Sequence, residues 1–291
     1  MLLKRFDNIA EFYPLVEPFL LAHEAEHNLI LGLCTILLKT DTFQHPPYLA
    51  YVECDGDIVA VALRTPPYNL ILSHMADKEP LSVIADDVGL VYDKLLGVIG
   101  AKHTSKAFAH LWKGRTGQDY RLKMQERIYC LEQVNPVSGV RGDYRPATEA
   151  DRALLTDWFM AFSAEAVEVI AHEEAERLVN LRFTAEPSLR GLRLWCDGGK
   201  PVSFSGYTGP TPHGIRVGPV YTPPEYRGRG YASACVAALS QELLDAGRQF
   251  VFLFADLSNP TSNHIYKNIG YQPVCDVDEY RFEGQSLEEQ G

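Results

Sequence analysis

Two passages of this chain run through the same pattern, and that repetition limits its fold more than any other feature. "YVECDGDIVAVALRTPPYNLILSH" (residues 51–74) and "RLWCDGGKPVSFSGYTGPTPHGIRVGPV" (193–220) both read as strand, Cys-Asp-Gly turn, strand, Pro-containing turn, strand. In each, the aspartate and glycine supply the positive φ that a tight hairpin needs. Each passage also follows a pair of helical segments, over residues 8–22 and 25–39 in the first half and 148–166 and 172–183 in the second. Thr148 with Asp151 three residues on marks a helix start. The chain is therefore expected to hold two α/β units, each a mixed, mostly antiparallel sheet flanked by helices. They should join near "VNPVSGVRGDYRP", giving domains over residues 1–140 and 141–291.

The 291 residues leave ample core for two such units. No apolar run approaches a membrane span, and "MLLKRFDNIAEFY" breaks its apolar start with Lys4, Arg5 and Asp7, so a cytoplasmic address and no membrane partner are expected. The six cysteines include no C-x-x-C pair to clamp zinc or to run disulfide exchange. The net charge of −11 excludes nucleic acid as an expected partner and hints at a cationic substrate. That charge is concentrated in the second half, with 14 basic against 17 acidic side chains up to Gly142 and 13 against 21 from Asp143 onward.

The most informative stretch is "YTPPEYRGRGYAS" (221–233), in which two arginines alternate with two glycines just before a helical pattern. A glycine-rich turn at a helix N-terminus aims several backbone N–H groups at one point, where the helix dipole favours negative charge. Gly228 and Gly230 let an anion approach the backbone, and Arg227 and Arg229 can neutralise it. The strand before it, "GIRVGPVYT", carries Gly218 and Pro219, where a bulge is expected.

The run Arg227-Gly228-Arg229-Gly230-Tyr231-Ala232 resembles the Q/R-x-x-G-x-G/A pyrophosphate loop of the GCN5-related N-acetyltransferases (GNAT). Downstream, "NPTSNHIYKNIGY" sets Asn259, Tyr266, Gly270 and Tyr271 at the spacing of that family's N-x-x-A-x-x-L-Y-x-x-x-G-F/Y segment, with Ser262 and Ile265 departing from it. The resemblance covers residues 141–282 and implies two tandem acyl-CoA N-acyltransferase units, with acetyl-CoA as cosubstrate and no metal. It implies that amides from Gly228 to Ala232 hold the pyrophosphate, with Arg227 and Arg229 at the rim and Tyr231 inside the turn. The edge of Val220, Tyr221 and Thr222 would pair with the pantetheine arm, Asn259 would touch CoA, and Tyr266 would protonate the leaving thiolate. The acceptor would be an amine on a small molecule or peptide, attacking directly in a ternary complex. For the base, Asp256, Glu165, Glu168 and a water relay all stay open.

The first half lacks the arginine-glycine turn and has "MADKEPLSVIADDVG" in its place, with acids where an anion would sit. It reads as a degenerate copy without CoA binding. Two other readings stand beside an acetyltransferase. One is a non-catalytic acetyl-CoA sensor or interaction module on the same fold. The other is a zinc hydrolase through His23, Glu24 and His27 of "HEAEH", a formal H-E-x-x-H match.

Overall fold

A computed structural model describes residues 1–40, 43 and 45–284. They form two compact units. The first comprises Met1–Tyr129, Phe254–Pro260 and the residues from Pro273 on; the second comprises Cys130–Leu253 and Thr261–Gln272.

The first unit opens with β1 (Leu2–Phe6), α1 (Ile9–Leu21) and α2 (Asn28–Lys39). Asn8 caps α1 by accepting the Ala10 N–H at 2.9 Å, which satisfies one of the free amides of the first turn. Then come β2 (Tyr48–Cys54), β3 (Asp57–Arg64), β4 (Leu70–Leu72), α3 (Glu79–Val91), β5 (Gly97–Ala101), α4 (Lys102–Thr116) and β6 (Tyr120–Leu131). Strands β1 to β4 pair antiparallel in sequence order, and β4 runs parallel to β5.

The chain then repeats that order with β7 (Asp143–Pro146), α5 (Arg152–Ala166), α6 (His172–Thr184), β8 (Arg190–Asp197), β9 (Lys200–Thr208), β10 (Gly214–Tyr221), α7 (Tyr231–Asp245), β11 (Phe250–Asp256) and α8 (Pro260–Ile269). Again the first four strands are antiparallel and the fourth runs parallel to the fifth. The start of α5 matches its sequence signal: Asp151 Oδ2 accepts the Thr148 N–H at 2.8 Å and completes a capping box. The last strand, β12 (Gln272–Phe282), pairs antiparallel with β5 of the first unit from Val277↔Ala101 to Arg281↔Gly97.

One face of the second unit's strands is closed by α5 and α6, whose Leu155, Trp158, Phe159 and Val179 pack on Leu192, Leu194 and Phe204. Burial of these side chains, roughly 1.5–3 kcal/mol each, anchors both helices to that face. Among the described residues, no helix is long and apolar enough to cross a membrane.

The two hairpin turns correct one expectation. In the first, Asp55 (φ 53) and Gly56 (φ 94) form the turn between Cys54 and Asp57, as read from the sequence. In the second, the turn residues are Gly198 (φ 58) and Gly199 (φ 79), and Asp197 is the last strand residue, paired with Lys200. Two consecutive glycines take both positive-φ positions more easily than an aspartate does, so the turn slides one residue along. Asp197 is thereby released for another role.

Candidate active site

The second unit contains most of the residues nominated from the sequence. Strand β10 pairs with β9 along one edge, with a register shift between Val217 and Val220 where Gly218 and Pro219 signal a bulge. On its other edge, pairing with β11 runs from Gly214↔Phe250 to Arg216↔Phe252 and then stops. Val220, Tyr221 and Thr222 lie past that point, on an edge whose partner strand has turned away. The pairing atoms on the β9 side are well fixed: Ser203 Oγ donates to the Tyr221 carbonyl at 3.1 Å and lies 2.8 Å from Thr222 Oγ1.

After Thr222 the chain makes a single 3-10 turn over Pro224–Tyr226 and enters the arginine-glycine turn. Gly228 (φ 76) and Gly230 (φ 81) both adopt the left-handed region, and Gly230 is the residue from which α7 starts. No side chain caps that helix, so its first-turn amides are open to an anion. A Cβ on Gly228 would meet nothing within 4 Å, whereas one on Gly230 would stand 2.9 Å from Val140 Cγ2. Tyr231, the first helical residue, is buried, and its hydroxyl donates to Asp197 Oδ2 at 2.6 Å. The aspartate freed from the hairpin thus pins the helix N-terminus to the sheet. Ala232 follows, half-buried in the first turn.

The two arginines behave differently. Arg227 Nε donates to the Thr222 carbonyl at 2.8 Å, and its Nη2 donates to Glu165 Oε2 at 2.6 Å. Its guanidinium lies 5.7 Å from the centre of the Tyr221 ring, and the Tyr221 hydroxyl donates to Glu165 Oε1 at 3.4 Å. Arg227 is therefore folded back on α5, and Arg229, which is exposed, is the cation left facing solvent at the turn.

Tyr266 lies on α8, partly buried, with its ring edge-on to Tyr271 at 6.0 Å between centres. Desolvation pushes its hydroxyl up to about 12, so it carries its proton throughout the neutral range. Tyr271 is buried and hydrogen-bonds Ser240 of α7 at 2.8 Å, which fixes the C-terminal end of α8. Gly270 ends that helix at φ 117, where a Cβ would lie 2.6 Å from the Gln133 carbonyl oxygen. Asn259, by contrast, belongs to the Phe254–Pro260 stretch, which compacts with the first unit. Asp256, one of the base candidates, accepts from the Ser258 N–H at 2.7 Å and from its hydroxyl at 2.8 Å, a turn-stabilising arrangement. Glu168 lies half-buried just beyond α5.

At "HEAEH" the residues between α1 and α2 form a turn, so His23 and His27 do not share a helical face. Both nitrogens of His27 are occupied: Nδ1 donates to the Leu20 carbonyl at 2.8 Å, and Nε2 accepts the His74 N–H at 2.9 Å. That ring orders the loop and offers no lone pair to a metal.

The model of a family described as the acetyltransferase (GNAT) family matches residues 152–271. The sequence matches no curated protein. Among solved structures, a Drosophila protein aligns over 98% of this chain and 99% of its own at 13% identity, with a TM-score of 0.69. A tandem GNAT protein from the clavulanic acid biosynthesis pathway aligns over 98% and 100% at 10% identity (TM-score 0.56). A GCN5-related N-acetyltransferase from Kribbella flavida covers 80% of this chain and 90% of its own at 15% identity (TM-score 0.57).

Proposed function

We propose that this chain, whose residues 152–271 match the acetyltransferase (GNAT) family, transfers the acetyl group of acetyl-CoA to the amine of an acceptor. The observation that carries the proposal is the conjunction on β10: its edge loses its strand partner after Arg216, and the same strand leads directly into an uncapped helix N-terminus through two left-handed glycines. The open edge offers main-chain groups to an extended amide-bearing arm, and the amides from Gly228 to Ala232 offer donors to a pyrophosphate. Arg229 supplies the positive charge there, with Arg227 held in reserve by Glu165.

In this reading the acceptor nitrogen attacks the thioester carbonyl within a ternary complex. A C–N bond forms, the C–S bond breaks, the nitrogen loses a proton to water or a nearby carboxylate, and the sulfur receives a proton from Tyr266. A positioned proton donor of this kind is worth on the order of 10²–10⁴-fold in rate. The first unit is read as a degenerate copy: at the matching place α3 begins with Glu79 and Pro80 after Asp77, a composition that repels phosphate.

Two measurements test this. Calorimetric titration of acetyl-CoA should show binding to the wild type and loss of it in Gly230→Asp. Thiol release with a panel of amines should then separate an enzyme from a sensor, which binds the thioester and turns over none of them. Failure of acetyl-CoA to bind the wild-type protein sinks the assignment.

A further inference from the structure

On the α5/α6 face of the second unit several arginines come together, of which Arg177 is ion-paired to Glu174 while Arg182 and Arg190 are not. Arg190, only 7% exposed, begins β8, and Arg182 lies near the end of α6. The Nε of each is buried without a hydrogen-bond partner, and neither residue forms an ion pair among the described residues. Arg182 donates one bond, from Nη1 to the Leu178 carbonyl at 2.9 Å, and its guanidinium lies 5.0 Å from the centre of the Phe159 ring. Burial first, then repulsion from Arg190, Arg216 and Arg177, pulls Arg182 down to about 9. Buried charges are ordinarily paired, and a positive cluster with idle donors costs stability unless something anionic completes it. Both arginines line a cleft of about 140 Å³, together with Phe183, Tyr207 and Arg193, the last already paired with Glu242, and this is more room than one water requires.

The strand register relates this cleft to the open edge of β10. Arg190 is opposite Thr208, and Thr208 is opposite Arg216, so the three lie in one row across β8, β9 and β10. At one strand spacing per step, the Arg190 and Arg216 backbones are roughly 10 Å apart. Arg216 is the last residue of β10 that pairs with β11, two positions before Gly218 of the bulge. Side chains alternate along β8, and Leu192 and Leu194 face α5 and α6, so Arg190 faces them too.

We propose that the Arg182–Arg190 cleft receives a carboxylate of the acceptor, so that the amine substrate is an amino acid or a similar short amine bearing an acid group. This rests on the acetyl-transfer reading above and names its substrate class. Planar guanidinium donors match a carboxylate in geometry as well as charge. The net charge of −11 does not oppose this, because charges beyond about 10 Å are largely screened whereas the buried arginines are not.

The test compares glycine, alanine and phenylalanine with their amides as acceptors, by thiol release, in the wild type, Arg190→Met, Arg190→Lys and Arg182→Met. Acetyl-CoA binding is measured in each by calorimetry. The acids should exceed the amides by about 10–100-fold in kcat/KM, the Met variants should bring that ratio near one, and Lys should restore part of it. Acetyl-CoA affinity should not change. Because Met removes an unpaired buried charge at similar volume, the Met variants should also melt higher in the absence of acceptor, which a purely structural arginine would not allow. Amides used as well as acids by the wild type, or a ratio unmoved in Arg190→Met, overturns the inference and leaves acetyl transfer standing. Should the wild type fail to bind acetyl-CoA, acetyl transfer falls, and a melting-temperature rise with N-acetylglycine decides the cleft by itself: a rise lost in Arg190→Met supports it, no rise overturns it.

Discussion

Glu165 of α5 holds Arg227 by a 2.6 Å bond from the guanidinium, drawing one of the two turn cations away from the glycines it flanks. Both partners are nearly half exposed, at 47% and 46%, so the pair adds less than about 1 kcal/mol to stability. Its effect is on binding. Glu165→Gln should release Arg227 to the turn and tighten acetyl-CoA several-fold at low salt, an advantage that fades as ionic strength rises. The melting temperature should hardly move. Calorimetry at two salt concentrations checks this, and weaker binding in Glu165→Gln would show that the ion pair organises the turn instead.

Gly230 combines a left-handed backbone with a neighbour where its Cβ would go, and Gly228 has the first property alone. An alanine at Gly228 should therefore cost about 1 kcal/mol, the strain of φ 76 in a residue with a Cβ. At Gly230 the same change adds contact with Val140, for a total of about 2 kcal/mol and a larger loss of acetyl-CoA affinity. Val140→Ala in the Gly230→Ala background should recover the contact part and leave the backbone part. Chemical denaturation of the three variants measures the difference directly.

Much of this site was legible because it follows from local rules. The glycine pair, the bulge at Gly218 and the capping box at Thr148 each depend on a few adjacent residues, and the structure has them where the sequence signals them. The slip of the second hairpin was not legible in the Cys-Asp-Gly match, since two turn-competent registers overlap and the choice falls to the Gly198-Gly199 pair. Nor does any local pattern announce that the residues from Pro273 on compact with the first unit, because strand partners are chosen by long-range pairing. Arg190 did leave a trace. In "RGLRLWC" the inward phase runs Arg190, Leu192, Leu194, Cys196, and an arginine on a buried phase is a signal that composition hides.

Tyr266→Phe should lower kcat by about 100-fold or more while leaving acetyl-CoA affinity near wild type, since the hydroxyl is asked only to deliver a proton. The sign of the pH dependence follows from its raised value of about 12. A group that titrates there remains protonated up to about pH 11, so wild-type activity should show no alkaline limb owed to this residue across the working range. An acceptor amine that must be neutral should instead produce a rising limb, and that limb should survive in the Phe variant. If the variant keeps full kcat, or if its profile loses the rising limb, the proton-donor role is wrong.

His27 in the first unit makes the last prediction, one about stability. Desolvation holds it down to about 4, with the Leu20 carbonyl and the Glu26 charge only partly opposing that shift. His23 and His74 also face this ring and push the same way as burial. The unfolded chain binds the proton near pH 6.5 and the folded protein only near 4, so the unfolded state takes up more protons across that window. Stability must therefore fall as pH drops from 6.5 towards 4, by about 2–3 kcal/mol from this site at pH 4.5. His27→Gln, which retains a donor for the Leu20 carbonyl, should lie below the wild type at pH 7.5 and lose its deficit on acidification. Urea midpoints at pH 7.5 and 4.5 for the two proteins isolate the contribution, because the carboxylates common to both cancel in the comparison. Parallel losses in the two proteins would mean that His27 titrates as freely folded as it does unfolded.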